Sequence, residues 1–147
     1  MLFPKTIDDS YKGNKISLYF FYLLTIGTIG RSLVHLFASD GGAQSIATIP
    51  LNSYPEEAAQ VVIHIFAEWG LMQLLFGIFY AIVIWRYKSL IPLMYSFILT
   101  EYSGRLFLSV YKPIVLEGIA PGGVGNYLMI PVALLMLLLS LQKSKAV

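Results

Sequence analysis

Long apolar stretches, rather than an alternation of apolar and polar positions, dominate this chain. Four of them qualify as membrane-spanning helices, at about residues 16–38, 58–85, 89–111 and 124–141. A helix needs about 20 mostly apolar residues to cross ~30 Å of hydrocarbon, whereas a barrel strand needs only about 9–11 alternating ones. The pattern therefore predicts an all-α fold, a four-transmembrane-helix bundle, with residues 1–147 forming a single integral membrane domain.

Composition strengthens this interpretation. Hydrophobic residues make up 57% of the chain and charged residues only 12%, against roughly 45–50% and about 25% in soluble domains. So little charge excludes a soluble enzyme, a disordered chain and a nucleic-acid binder as classes of function. The sequence has no cysteine, which excludes disulfides, thiolate metal sites and covalently attached c-type haem.

The basic residues are sorted between the two ends of the predicted spans. Seven of the ten lie near the N-terminus, the 86–88 turn or the C-terminus, whereas the other two loops together hold only Lys112. Because basic flanks stay in the cytoplasm, we expect both termini to be cytoplasmic. The seven residues are Lys5, Lys12, Lys15, Arg86, Lys88, Lys143 and Lys145.

The three connections predict different structures. Residues 86–88 form so short a turn that spans two and three should pack as a tight antiparallel hairpin. The first outer loop, about residues 39–57, carries apolar side chains from Ile46 to Leu51. This loop either anchors in the membrane surface or folds back over the outer end of the bundle, and we favour the anchor. The segment from Pro121 to Gly125 predicts a tight turn that enters span four.

Six ionisable side chains lie within the apolar stretches, where each costs about 2.5–3.5 kcal/mol to insert. At about 1.5 Å per residue, all six fall between the membrane midplane and the outer surface. They form three i,i+4 pairs, each on one helical face, in spans one to three. We predict a shared cluster in which Arg31 pairs with Glu68 and Arg105 with Glu101. The six residues are Arg31, His35, His64, Glu68, Glu101 and Arg105.

This intramembrane polar cluster permits two interpretations. Ion pairs that satisfy each other can simply fix the packing of the helices. Alternatively the cluster lines a pocket for a ligand, proton or ion, which we favour because small residues such as Gly70 and Gly77 suffice for helix association. The only two imidazoles, His35 and His64, lie on different spans, so we expect no metal site. We expect no cofactor, and the sequence assigns no catalytic residue.

Several short motifs resemble those of the DoxX-like small bacterial four-helix membrane proteins. They are Gly30-Arg31, Glu68-Trp69-Gly70 with Gln73, residues 86–90, and Glu101 with Arg105. The resemblance implies the architecture and not an activity, although some members of that group are linked to quinone-coupled redox complexes. The chain is also similar in architecture to the sterol isomerase and sigma-2 receptor group. That second similarity would imply acidic pocket residues at Glu68 and Glu101 at most.

Three functions remain open. The first is a binding or accessory protein, whose outer-half pocket holds a lipid, a quinone or a partner helix. The second is a membrane enzyme acting on a lipid or quinone substrate, with Glu68 or Glu101 working with His64 as acid and base. The third is a proton-coupled oligomeric transporter that uses the two glutamates. We favour the first, since no nucleophile–base–orienter arrangement can be read. The expected partners are membrane lipids, a lipophilic ligand, a partner membrane subunit or a second copy of the chain, and not nucleic acid.

Overall fold

The computed structural model describes residues 1–142, and its regular structure there is entirely helical. The four long helices are α1 (Lys15–Phe37), α2 (Glu56–Arg86), α3 (Ile91–Tyr111) and α4 (Pro121–Leu141). The all-α prediction and the number of helices are thus confirmed. By length and composition α1, α2 and α4 can each cross a membrane. The predicted cytoplasmic residues Lys143 and Lys145 lie outside the described residues.

Two helices begin earlier than the sequence predicted. Helix α4 starts at Pro121, so the glycine-rich segment forms its first turns instead of a turn before it. Proline is well suited to this position, because its fixed φ matches the helix and its missing N–H would have no partner there. Helix α2 has 31 residues, which corresponds to about 46 Å. It is therefore longer than the 23-residue α1 and extends beyond it.

The helices pack as two pairs, α1 with α2 and α3 with α4, while α2 and α3 make few contacts. The prediction of a tightly packed α2–α3 hairpin is therefore wrong, although the turn between them is short. The cause is the distribution of small and large residues on α2. Gly70 and Gly77 are buried against α1 at His35 and Ile29, so those two backbones approach closely. Bulky side chains occupy the side of α2 that faces α3.

The main core lies at one end of the bundle, where α1 begins and α4 ends; we call it the terminus end. Tyr95 is fully buried there and donates a hydrogen bond to the carbonyl of Ser17, 2.5 Å away. Its ring also packs edge-on against Phe21. The interior between the helices is therefore occupied by packed side chains at this level. The buried apolar residues of this core are Phe21, Tyr80, Val83, Ile91, Met94, Tyr95, Ile98, Ala133 and Met136.

The N-terminal segment closes the terminus end. The amide of Asp8 donates to Ser89 Oγ at 3.0 Å, and the amide of Ser89 donates back to the Asp8 carbonyl at 3.2 Å. Lys88 Nζ lies 2.6 Å from Asp9 Oδ1, and this hydrogen bond raises the pKa of Lys88. The amide of Asn14 donates to the carbonyl of Leu139 on α4 at 3.0 Å. These contacts connect the segment to the α2–α3 turn and to α4.

The first outer loop folds back onto the opposite end of the bundle, which we call the loop end. Ala43, Ile49 and Leu51 are buried there against α2 residues that include Phe66 and against Leu116 of the α3–α4 connection. The favoured interpretation as a surface anchor is therefore wrong. The apolar side chains find protein partners because α2 extends beyond α1 and offers its first turns to them.

Hydrogen bonds hold this loop in place. Thr48 accepts from the amide of Glu117 at 2.9 Å through its carbonyl and donates to the Gly118 carbonyl at 3.1 Å through its hydroxyl. The Asp40 carboxylate accepts from the amides of Gly42 and Ser45 at 2.8 and 2.6 Å. The two outer connections are thus joined into one cap at the loop end.

Candidate functional site

A cavity of about 370 Å³ lies where α2 and α3 fail to meet, with α1 closing its third side. Its lining is mainly apolar and aromatic, with a few polar groups, which is the usual character of a ligand pocket. The lining residues are Leu24, Thr28 and Arg31 of α1; Trp69, Met72, Gln73, Phe76 and Tyr80 of α2; and Phe97, Ile98, Thr100, Glu101 and Tyr102 of α3.

Regular helical spacing places these side chains on one face of each helix. On α2 the positions 69, 73, 76 and 80 recur at steps of four, three and four residues. On α1 the positions 24, 28 and 31 follow the same rule. Residues spaced in this way share a face, so the cavity is built by rigid helices and not by loops.

The polar end of the cavity is formed by Arg31 and Gln73. Arg31 Nε donates a hydrogen bond to Gln73 Oε1 at 3.1 Å, which joins α1 to α2. Gln73 is only 6% exposed, and its Nε2 atom has no hydrogen-bond partner among residues 1–142. A buried N–H group without a partner costs about 1–3 kcal/mol. The wall of the cavity therefore contains a buried amide donor whose hydrogen-bonding capacity the described residues leave unused.

Trp69 lies between two guanidinium groups. Arg31 Cζ is 5.5 Å and Arg105 Cζ is 4.8 Å from the ring centroid, both within the range of a cation–π contact. Arg105 also forms an ion pair with Glu101 of its own helix, with Nε 3.0 Å from Oε1 and Nη2 on the same oxygen. The predicted Glu101–Arg105 pair is thus confirmed. Arg31, Arg105 and Glu101 together carry a net charge of +1.

His35 is buried, but it belongs to the loop end and not to the cavity lining. Its Nδ1 is 2.7 Å from the Gly41 carbonyl, and Gly41 has a φ of +60°, a conformation that glycine adopts without strain. The ring also packs 4.8 Å from Trp69. His35 therefore contacts the outer loop through Gly41 and packs its ring against Trp69.

His64 and Glu68 lie apart from the other members of the predicted cluster. They pair with each other at 3.3 Å, and their side chains are 74% and 68% exposed. At 100° per residue both positions fall on the face of α2 opposite to Gln73. The predicted pairing of Arg31 with Glu68 is therefore wrong: Arg31 bonds to Gln73 instead.

The predicted depth of Glu68 also changes. Gly70 packs against His35, two residues before α1 ends. Because α1 and α2 run antiparallel, Glu68 is level with the last residues of α1 and not with the middle of the span. α2 begins at Glu56, so the turns that precede Gly70 extend beyond the end of α1.

The site residues that the sequence did not single out are Trp69, Gln73 and Tyr102. Trp69 and Gln73 stand out in the sequence only as parts of a short motif, and no pattern singles out Tyr102. The helical spacing of positions 69, 73, 76 and 80 is the sequence pattern that could have identified the cavity-lining face of α2. Among residues 1–142 no three His, Asp or Glu side chains converge as metal ligands.

The chain matches no known protein family, no curated protein and no solved structure. The chemistry of the site therefore follows from its own residues. Within the part of the chain that the structure describes, these residues provide apolar walls, an amide donor without a partner and a guanidinium without a carboxylate partner.

Proposed function

We propose that this protein is an integral membrane protein that binds a lipophilic ligand in the cavity between α1, α2 and α3. The observation that carries the proposal is the Gln73 Nε2 group, which is buried at the cavity wall without a partner. An acceptor oxygen on a ligand would recover most of the cost of that donor. A purely structural role for the polar residues explains the Glu101–Arg105 pair, but it gives no reason for the unpartnered amide.

The membrane part of the proposal is supported by the helices that are long and apolar enough to span a bilayer. We extend it to four spans, because α3 has 21 residues, about 31 Å, and carries exposed apolar side chains such as Phe97, Phe107 and Val110. The sorting of basic residues supports cytoplasmic termini, and the DoxX-like resemblance supports a bacterial inner membrane. The DoxX-like resemblance agrees with this topology and forms part of the proposal.

Binding is favoured over catalysis and transport by the position of the titratable groups. An acid/base pair of His64 with a glutamate would have to reach the cavity, yet His64 and Glu68 are exposed on the opposite face of α2. Glu101 does reach the cavity but is held by Arg105. The groups that define the polar end of the cavity, the Arg31 guanidinium and the Gln73 amide, are hydrogen-bond donors that recognise a ligand without readily transferring a proton to it.

The fluorescence of Trp69 tests the proposal. In a Trp85→Phe background Trp69 is the only tryptophan, since the chain has two, and it lines the cavity. We expect 9,10-dibromostearate or its methyl ester to quench this fluorescence saturably at low mole fraction in detergent.

A matched pair of variants supplies the control. Thr28→Phe fills the cavity and should abolish saturable quenching, whereas Ile26→Phe places the same side chain on the outer face of α1, where Ile26 is 69% exposed. The Ile26→Phe variant should therefore show the same saturable quenching as the parent protein. Equal quenching in both variants, or no saturable quenching by either probe in the parent protein, would contradict binding in the cavity.

A further inference from the structure

The charge of the cavity points to a class of ligand. We propose that the cavity binds a single-chain amphiphile with one anionic head group, a carboxylate or a phosphate ester, whose head lies between Arg31 and Gln73. This inference rests on the proposed binding function and adds the chemistry of the ligand to it.

The first step is the charge balance. Glu101 neutralises Arg105 through a two-nitrogen contact, whereas no carboxylate within residues 1–142 lies within ion-pair distance of Arg31. The Arg31 side chain donates a hydrogen bond to the neutral amide of Gln73 and lies beside the hydroxyl of Tyr102, and neither partner carries a negative charge. A cation inside a bilayer is stable only when it is paired or solvated. An anion in the cavity would supply the missing counter-charge.

The second step is the arrangement of donors. Because Arg31 Nε bonds to Gln73 Oε1 at 3.1 Å, the terminal guanidinium nitrogens and the free Gln73 Nε2 belong to directly neighbouring groups. Arginine presents its N–H groups in a fixed fork that suits carboxylate and phosphate oxygens. One head group can therefore accept from the guanidinium and from the amide together. A hydroxyl oxygen can also accept from these donors, but it carries no charge to balance the guanidinium.

The third step concerns the chain of the ligand. Phe76 on α2 and Phe97 on α3 both line the cavity and are about half exposed. They mark the mouth between these two helices, which opens sideways and not towards the closed terminus end. A volume of about 370 Å³ is near the lower end of the roughly 300–1,000 Å³ of ordinary ligand pockets. That size suits a head and part of one chain, with the rest of the chain passing between the phenylalanines.

The test compares three brominated probes with the same chain in the Trp85→Phe protein, at a pH where fatty-acid heads are ionised. The probes are dibromostearate, its methyl ester and the corresponding brominated lysophosphatidate. We expect at least one anionic probe to bind about tenfold more tightly than the ester, a factor that corresponds to about 1.4 kcal/mol. Whichever anion binds more tightly identifies carboxylate or phosphate as the natural head.

Two variants test the residues. Gln73→Glu puts a carboxylate beside Arg31, so the net charge falls to zero and the preference for the anion should disappear. Gln60→Glu adds the same negative charge at an exposed position of α2, about 20 Å along the helix from Gln73, and should retain it. If Gln73→Glu fails to fold, Arg31→Gln makes the same test.

The outcomes separate the two proposals. Equal binding of ester and anions would overturn the anionic ligand while leaving cavity binding intact. Saturable binding of none of the probes would overturn both. A preference for anions that survives Gln73→Glu and Arg31→Gln would show that the head lies elsewhere and would contradict the assignment.

Discussion

Replacing Gly70 by alanine should destabilise the protein through the contact between α1 and α2. A methyl group on Gly70 would lie 2.7 Å from His35 Cβ and 3.1 Å from the Ser32 carbonyl oxygen. Both atoms are fixed to the backbone of α1, so a change of rotamer cannot relieve the overlap. The two helices must separate, and overpacking of this kind costs about 1–3 kcal/mol.

A second effect opposes this cost. Alanine is better than glycine inside a helix by about 0.5–1 kcal/mol. The net expectation for Gly70→Ala is therefore a loss of about 1–2 kcal/mol in the free energy of unfolding. Gly27→Ala on α1 is the matched control, because a methyl group there meets nothing within 4 Å. Only the gain in helix propensity applies, so Gly27→Ala should be neutral or stabilising.

Reversible unfolding in mixed detergent micelles measures the difference between the two variants. We expect Gly27→Ala to be more stable than Gly70→Ala by about 2 kcal/mol. Gly77→Ala should fall between them, since its closest clash, at 2.7 Å, is with the side chain of Ile29 and its nearest backbone atom is 3.5 Å away. Equal stability of all three variants would refute the close α1–α2 contact that positions Arg31 beside Gln73.

Three further predictions follow from other parts of the molecule. Because the chain has no cysteine, single variants report topology: Ser45→Cys should react with a membrane-impermeant maleimide on intact cells, and Lys5→Cys only after permeabilisation, whereas the reverse pattern would contradict cytoplasmic termini. Arg105→Gln should remove the preference for anionic probes, because the freed Glu101 then offsets the charge of Arg31; a retained preference would argue against this charge balance. Burial by itself raises the pKa of Asp40, but the amides of Ser45, Gly42 and Gln44 hold that pKa below its ordinary value. Asp40 therefore stabilises the loop-end cap above its ordinary pKa of about 3.9, and this contribution is lost as the pH falls through the folded-state pKa. Proteolysis of residues 41–54 by an acid-active protease should rise at low pH in the parent protein, and Asp40→Ala should be cleaved readily at neutral pH as well.

The helices were predictable because each apolar stretch exceeds what a strand or a soluble loop would contain. The Glu101–Arg105 pair was predictable for a similar reason, since two residues at i,i+4 on one helix meet whatever the neighbouring helices do. Both inferences depend on local spacing alone. Neither requires knowledge of which helices are neighbours.

The partner of Arg31 could not be predicted in this way. Spacing places His64 and Glu68 on one face of α2, but it does not say whether that face meets α1, α3 or lipid. That choice depends on Gly70 and Gly77, which bring another face of α2 against α1. The same packing places Gln73 beside Arg31. A search for intramembrane charges does not select Gln73, because its amide is neutral.

The folded outer loop was missed for a related reason. Its apolar residues are as suitable for a membrane surface as for a small core, and the sequence does not distinguish the two. The choice depends on the extra length of α2, whose first turns provide Val62, Ile63 and Phe66 as packing partners. The start of a helix is among the features that a sequence pattern fixes least closely.

The central claim is that an amphiphile occupies the space between α2 and α3 with its head at Arg31 and Gln73. The most direct test is a crystal structure of the protein with dibromostearate, in which anomalous scattering locates the bromine atoms. The account predicts bromine between Phe76 and Phe97 and a carboxylate within hydrogen-bond distance of Gln73 Nε2. Bromine found only on the outer faces of the helices, with Gln73 Nε2 still without a partner, would contradict it.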